Sequence, residues 1–358
     1  MRGNVMSGKV TDALKGKVKR ATLAEVASAV GLAKPTVSRA LNDYPDISDE
    51  TKRRVRETAE AMGYVASSRA RQLQKGATDA IGLVISSASV GLQAAYQSEF
   101  TSALAAALDG HGLDLLLHSV ADPVTEIDTY NRLFQQGKVD GFVLMRTRRD
   151  DERIRFLTER GVPFVTQGRT DQSAEHAWID IDSQTAFSDA VGFLAAKGHG
   201  RIAMIAGDET IYSSSLRIAG YRQGLEKAGI AFDADLVLPG DFSAASGRLG
   251  LRRLVDSTTD VTAILCANDA TAMGAISQAV ELGIDVPKQL SVMGYDGVRM
   301  AEMFSPPLTT LSHSAAECGE RIASMIVGLV GGDAPTDHQI LLPAQIIERR
   351  STGMAANV

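Results

Sequence analysis

Beyond Gly76, short apolar runs alternate with amphipathic stretches of about ten to fifteen residues, the βαβ rhythm of a parallel sheet. This alternation constrains the fold more than any other feature, because parallel strands can be joined only through long crossovers. The strand candidates are 81–85, 113–117, 141–145, 164–166 and 177–181, then 201–206, 236–238, 263–266, 290–293 and 340–342. Between the first two, Phe100, Ala103, Leu104, Ala107 and Leu108 mark one helical face, and Leu194 with Ala195 closes another helix before Gly198. About 280 residues exceed a usual single core. The series therefore predicts two doubly wound α/β lobes, meeting near residues 182–185 and facing one cleft that can trap a ligand.

The 358 residues carry a formal net charge of −6, which argues against a nucleic-acid partner. That average hides a split. Residues 1–75 hold 15 of the 37 basic and 8 of the 43 acidic side chains, a net of +7, which leaves −13 for the remainder. Residues 1–20, with Lys9, Lys15, Lys17, Lys19 and Arg20, read as a flexible basic arm or a solvated tail.

From Thr22 to Tyr64 the apolar spacing predicts three short helices, carried by Leu23, Val26 and Ala27, by Val37, Ala40 and Leu41, and by Val55, Ala59 and Met62. Thr22 with Glu25 is a capping-box signature, and Ser48 or Asp49 opens the third helix. Gly31 permits the tight crossing of a helix-turn-helix. Lys34, Pro35 and Arg39 then face outward, and Pro35 suits the exposed first turn that meets base edges. Arg39 can fork onto guanine O6 and N7, a contact worth roughly 1–3 kcal/mol of base discrimination. Thr22, Thr36, Ser38, Asn42, Ser48 and Thr51 offer short donors for phosphates. A purely structural three-helix bundle is the rival reading, and the basic surplus weighs against it. Next, Ser67–Gln74 is a helical octet too short to be stable alone; its rival is a polar linker without a helix.

Thr22–Gly76 resembles the headpiece of the lactose/galactose repressor (LacI/GalR) family, with the blocks T-L-A-E-V-A, T-V-S-R-A-L-N, I-S-D-E-T-K-R-R-V and M-G-Y in register. Further blocks follow in the family's order over nearly the whole chain: Asp140-Gly141-Phe142, Gly198-His199-Gly200-Arg201-Ile202, Arg217-Ile218-Ala219-Gly220-Tyr221, Ala267-Asn268-Asp269, Gly294-Tyr295-Asp296 and Pro307-Leu308-Thr309-Thr310. The resemblance implies an N-terminal all-α helix-turn-helix headpiece at 21–65, a hinge at 66–76, and a periplasmic-binding-protein-like core of two doubly wound lobes at 77–358 that senses an effector and dimerises. It adds Leu23, Tyr64, Ala70 and Leu73 to the DNA-binding set, Leu73 as a wedge between base steps of the minor groove. Ala66-Ser67 stands where the family has Pro-Asn, so a more mobile free hinge is expected, though Ser67 can still cap it.

Asp296 follows the run 290–293, and ligands of open α/β sheets bind beyond the carboxyl ends of strands. A carboxylate there can accept two hydroxyls. The resemblance makes Asp296 the main polar anchor and Asn268 a second, with Arg217 a planar donor fork and Phe242 an aromatic that stacks on the effector. From the first lobe it implies Tyr96 and Gln97, the latter aromatic in a purine-binding relative, and Arg146, Thr147 and Arg169 after two strands. Gly168 replaces an acidic residue of many members, so part of their ligand set is missing here.

The expected protein is a cytoplasmic homodimeric repressor of carbohydrate-utilisation genes. It would bind a pseudo-palindromic double-stranded operator and a small sugar effector, in the range of α-glucosides and related disaccharides. A corepressor-type regulator with a purine or other non-sugar effector is the alternative. A solute-binding transport protein is a distant one; it needs an export signal, and Met1–Arg20 lacks a signal peptide's apolar core. No apolar run of ~18 residues points to a membrane, and the C-terminal stretch lacks heptad leucines, so a dimer is expected rather than a tetramer. Enzymatic motifs such as GxSxG, Walker A and HExxH are missing, and Cys266 and Cys318 have no CxxC or CxxH neighbour; neither catalysis, a metal nor a cofactor is expected.

Overall fold

A computed structural model describes residues 21–64, 77–86, 94–121, 125–171, 176–257, 260–333 and 338–355. The basic arm and the hinge octet, with Ala70 and Leu73, lie outside them. The chain divides into two compact units, Met1–Thr78 and Asp79–Val358.

In the first unit, α1 (Leu23–Val30), α2 (Lys34–Leu41) and α3 (Asp49–Ala61) enclose Val26, Val37, Ala40 and Val55, all fully buried. Two of the three starts are capped by side chains. Thr22 Oγ1 accepts from Glu25 N at 3.3 Å while Glu25 Oε2 accepts from Thr22 N at 2.8 Å, so the predicted capping box is formed. Ser48 caps α3 through Thr51 N. Helix α1 ends on Gly31 at φ +73°, the left-handed conformation that suits a helix-turn-helix corner.

The second unit runs β1 (Ala80–Ser86), α4 (Ala94–Asp109), β2 (Asp114–Val120), α5 (Glu126–Gln135), β3 (Gly141–Met145), α6 (Glu152–Glu159), β4 (Phe164–Gln167) and β5 (Ala177–Ile181). It continues with α7 (Ser183–Ala196), β6 (Ile202–Ile205), α8 (Tyr212–Lys227), β7 (Val237–Leu238), α9 (Ala244–Ser257), β8 (Ala263–Cys266), α10 (Asp269–Glu281) and β9 (Ser291–Asp296). Last come α11 (Arg299–Met303), β10 (Thr309–Ser312), α12 (Ala315–Gly331), β11 (Gln339–Leu342) and β12 (Gln345–Ile347). Strands β3, β5, β6 and β8 are buried along their whole length, as expected of parallel strands covered on both faces.

Two six-stranded sheets result, in the orders β11-β5-β4-β3-β1-β2 and β12-β10-β9-β8-β6-β7. All pairings are parallel except β12 against β10. The expected division of the lobes near residues 182–185 needs correction. Strand β11 joins β5 in the first sheet, and α12 packs on α4 of that lobe. The chain therefore crosses between lobes three times, after β5, β10 and β11. Apolar patterning marks a strand but not the sheet it enters. Two strands also went unpredicted: β10, a Thr-Thr-Leu-Ser segment, and the three-residue antiparallel edge β12.

Candidate ligand cleft and nucleic-acid interface

On the headpiece, Lys34, Pro35 and Arg39 are exposed along α2, with Pro35 in its first turn. Arg39 is held in place, its Nη2 2.7 Å from Asp46 Oδ2 and its guanidinium 5.1 Å from the Tyr44 ring centroid. Several predicted phosphate donors are engaged within the headpiece itself. The Thr22 hydroxyl belongs to the capping box, Ser48 Oγ and Thr51 Oγ1 lie 2.9 Å apart, and Asn42 Nδ2 donates to Ser38 O at 2.8 Å. Thr36 and Ser38 are half-buried. Leu23 and Tyr64 pack against the headpiece core.

In the second unit a cleft of about 830 Å³, mouth included, lies where the strands of both sheets end. That size suits a small molecule. Tyr96, Gln97, Arg146, Thr147, Arg217, Phe242, Asn268 and Asp296 all line it. Arg169 does not; its Nε donates to Asp180 Oδ2 at 2.8 Å and its guanidinium lies over Trp178, which corrects the expectation that it faces the ligand. The sequence reading missed His313, Tyr295, Gln167, Asp180 and Ser183, which also line the cleft.

Backbone strain gathers here. Five non-glycine residues among those described have positive φ, and three of them, Arg146 (+53°), Phe242 (+67°) and Asp296 (+117°), line the cleft. Such conformations persist only where surrounding contacts enforce them. For Arg146 the enforcement is visible: Arg153 Nη2 donates to its carbonyl at 3.1 Å, and Arg153, 4% exposed, is clasped by Asp151 and Glu126. Gly168 sits at φ +115°, where a Cβ would come 2.6 Å from Thr147 Oγ1. No side chain fits there without displacing Thr147, whose hydroxyl donates to Arg169 O at 2.7 Å.

From the second lobe, Arg217 Nη1 donates to Ala267 O at 2.7 Å, and its guanidinium lies 4.1 Å from the Tyr295 centroid and 5.4 Å from that of Phe242. Its buried Nε has no hydrogen-bond partner among the described residues, and neither has Nδ1 of His313. Unmet buried polar atoms of this kind call for a partner. Both ends of the Asn268 amide are occupied. Its Oδ1 caps α10 through Thr271 N, and its Nδ2 donates to Phe242 O at 3.1 Å, which ties the aromatic to the end of β8. Asp296 Oδ1 lies 3.9 Å from His313 Nε2. Burial holds the Asp296 carboxyl well above the usual carboxylate range against the pull of Arg217, with Asp269 and Glu99 adding to the rise. Burial, helped by Arg217, pushes His313 down to about 3, so its ring is neutral. Tyr96 packs edge-on to His313 with centroids 4.9 Å apart and accepts from Gln167 Nε2 at 2.8 Å. The arrangement can exchange hydrogen bonds with hydroxyls, stack on a ring and balance negative charge. Among the described residues no group of His, Cys, Asp and Glu is placed to hold a metal ion, and no helix is long and apolar enough to cross a membrane.

The chain matches two families: bacterial regulatory proteins of the lacI family over residues 22–67, and the periplasmic binding protein-like domain over residues 191–352. It is 33% identical to the HTH-type transcriptional regulator AglR of Rhizobium meliloti over 337 residues, 93% of this chain and 94% of that protein. It is 31% identical to the regulator CelR of Thermobifida fusca over 93% of this chain and 98% of the relative. Among solved structures, a CelR–cellobiose complex superposes with a TM-score of 0.72 at 30% identity, covering 93% of this chain and all of that one. A lac repressor dimer bound to operator and the anti-inducer ONPF superposes with a TM-score of 0.83 at 27% identity, covering 94% and 100%. A headpiece of three short helices, a core of two doubly wound lobes and relatives matched along nearly their full length agree: the chain belongs to the lacI family of bacterial regulatory proteins and is a helix-turn-helix transcriptional regulator.

Proposed function

We propose that this regulator is a cytoplasmic, dimeric repressor of carbohydrate-utilisation genes whose affinity for a pseudo-palindromic operator is set by a sugar of mono- to disaccharide size in the cleft. One observation carries the reading: a carboxyl (Asp296), a guanidinium (Arg217) and an aromatic face (Phe242) from three separate segments meet in one cleft with donors and acceptors from the other lobe. Carboxyl and guanidinium groups bind vicinal hydroxyls, and an aromatic face packs on the C–H face of a sugar ring. The structure of a relative in complex with cellobiose supports the ligand class. On α2, Lys34, Pro35 and Arg39 read the operator; Thr22, Thr36, Ser38, Asn42, Ser48 and Thr51 contact phosphates. Tyr96, Gln97, Arg146, Thr147, Asn268 and Asp296 bind the effector with Arg217 and Phe242. Ligand draws the lobes together, and a coupling of about 1–3 kcal/mol changes operator affinity 5- to 150-fold.

The test selects operator DNA with the full-length protein and measures its affinity with and without each of a panel of neutral sugars. The expected result is a steep fall of affinity with salt, as charge-driven DNA binding requires, and a sugar response lost in Asp296→Ala while DNA binding persists. DNA affinity indifferent to deletion of residues 1–76 would sink the headpiece assignment. A normal response in Asp296→Ala would sink the cleft. Tighter rather than weaker DNA binding on adding sugar would reverse the sign to corepression.

A further inference from the structure

The charged groups that line the cleft, Arg146, Arg217, Asp180 and Asp296, differ in how far their hydrogen-bonding capacity is already met. Asp180 is occupied by Arg169 at 2.8 Å, and Asp296 has no guanidinium or ammonium within 4.0 Å among the described residues, only the His313 ring. Arg217 is engaged by Ala267 O and the Tyr295 ring. Arg146 stands apart. Its guanidinium makes no hydrogen bond among the described residues, and its ion-pair partner, Asp208 Oδ2, lies 3.8 Å away, beyond hydrogen-bond reach. The other Asp208 oxygen is taken by Thr210, whose N and Oγ1 donate at 2.9 and 2.7 Å. The Arg146 side chain is 40% exposed in the cleft lining and lies 5.3 Å from the Phe242 centroid, beside the ring that a sugar would stack on.

This placement is built. The backbone of Arg146 is left-handed, and the Arg153–Asp151–Glu126 ion cluster, whose three members are nine-tenths or more buried, grips its carbonyl and fixes where the side chain leaves the chain. A planar five-donor fork held at a cleft wall without a hydrogen-bond acceptor is suited to a two-oxygen anion. We infer that the effector is an anionic sugar, its carboxylate or phosphate taken by Arg146 while Phe242, Arg217 and Asp296 hold the ring and its hydroxyls. This inference rests on the sugar reading above and names the class of sugar.

Calorimetric titration of the full-length protein with matched sets tests it: glucose, galactose, maltose and cellobiose, each as the neutral sugar, the 6-carboxylate and the 6-phosphate. At least one charged form should bind tenfold or more tightly than its neutral parent, and its identity separates a uronic acid from a sugar phosphate. That preference should shrink at least fivefold in Arg146→Gln and with rising salt. Arg146→Lys, which keeps the charge but loses the fork, should fall between, and unchanged melting of both variants shows that they fold. If a neutral parent binds as tightly as both of its charged forms, the anion is wrong while the sugar reading stands, and Arg146 serves only its pair with Asp208. If no member binds, the sugar reading fails and this inference with it.

Discussion

Burial pushes the His313 imidazole down to about 3 and the Asp269 carboxyl up to about 7, the latter against hydrogen bonds from Thr310 Oγ1 and Val298 N. The two therefore make opposite demands on pH. His313 is neutral when folded but protonates in the unfolded chain below about 6.5, so the stability it contributes is complete above that pH and is lost as pH falls toward 3. Asp269 is protonated when folded but ionises in the unfolded chain above about 3.9, so its contribution is complete below that pH and is lost as pH rises through 7. Between pH 4.5 and 6 each alone gives a slope of about 1.4 kcal/mol per pH unit, of opposite sign, and the two cancel in the native protein. His313→Gln should therefore gain stability relative to the parent as pH falls over this window. Asp269→Asn, whose amide can still accept from Val298 N and donate to Thr310, should gain as pH rises. Urea midpoints at four pH values decide it, and difference curves that tilt the same way would refute the assignment of protons.

At the scale of elements, α5 and α6 share an apolar cluster and are also joined through charge: Glu126 of α5 accepts from Arg153 Nη1 of α6 at 3.0 Å and from Arg148 Nη2 at 3.0 Å. Arg153 and Asp151 are both buried, and Arg153 is the cation that Asp151 pairs with at 2.7 Å, so removing Arg153 leaves that carboxylate uncompensated, a loss of about 3–5 kcal/mol. Arg153→Met should cost that order of stability in denaturant titrations. By contrast Glu317→Gln, which breaks the half-exposed Glu317–Arg321 pair on one helix, should cost about 0.5 kcal/mol or less. Equal costs would mean that the buried cluster is wet and screened. The elements also show what the sequence could and could not reveal. Strand β3 is buried on both faces by its own apolar residues, so a local pattern finds it, and capped helices such as α1 and α3 announce their first residues. Strand β10 is equally buried, but by two threonines whose hydroxyls meet Asp269 and Thr352 some 41 and 43 residues away in sequence. No local pattern contains those partners. His313, directly after that strand, was lost with it, whereas Asp296 ends and Asn268 closely follows a strand that could be read, and the family resemblance supplied their roles. The resemblance also pointed to Arg169, and a neighbouring strand's Asp180 claimed that side chain.

Across the second unit, the lobes are tied both by three chain crossings and by contacts between their rims. Tyr212 N donates to Thr147 O at 2.9 Å beside an Arg148–Ile211 bridge, and Arg299 N donates to Glu99 Oε1 at 3.3 Å. Arg149 adds to them: anchored on Asp171 of its own lobe, it donates to Ser215 Oγ at 3.2 Å and lies over the Tyr212 ring of the other. Ties of this kind favour the approached lobes before ligand arrives, and a ligand's apparent affinity scales with the fraction of protein already in the competent arrangement. Exposed contacts such as those of Arg149 contribute about 1 kcal/mol together, which is roughly a fivefold bias. Arg149→Ala should thus weaken effector binding about two- to fivefold. It should also raise the radius of gyration of the ligand-free core in X-ray scattering, while the ligand-saturated core keeps the parent's value. The loss arises in the lobe equilibrium and not in the cleft, so it should be the same factor for every ligand, charged or neutral, unlike the loss in Arg146→Gln. A variant with unchanged affinity and unchanged ligand-free scattering would show that the crossings alone set how far apart the lobes stand.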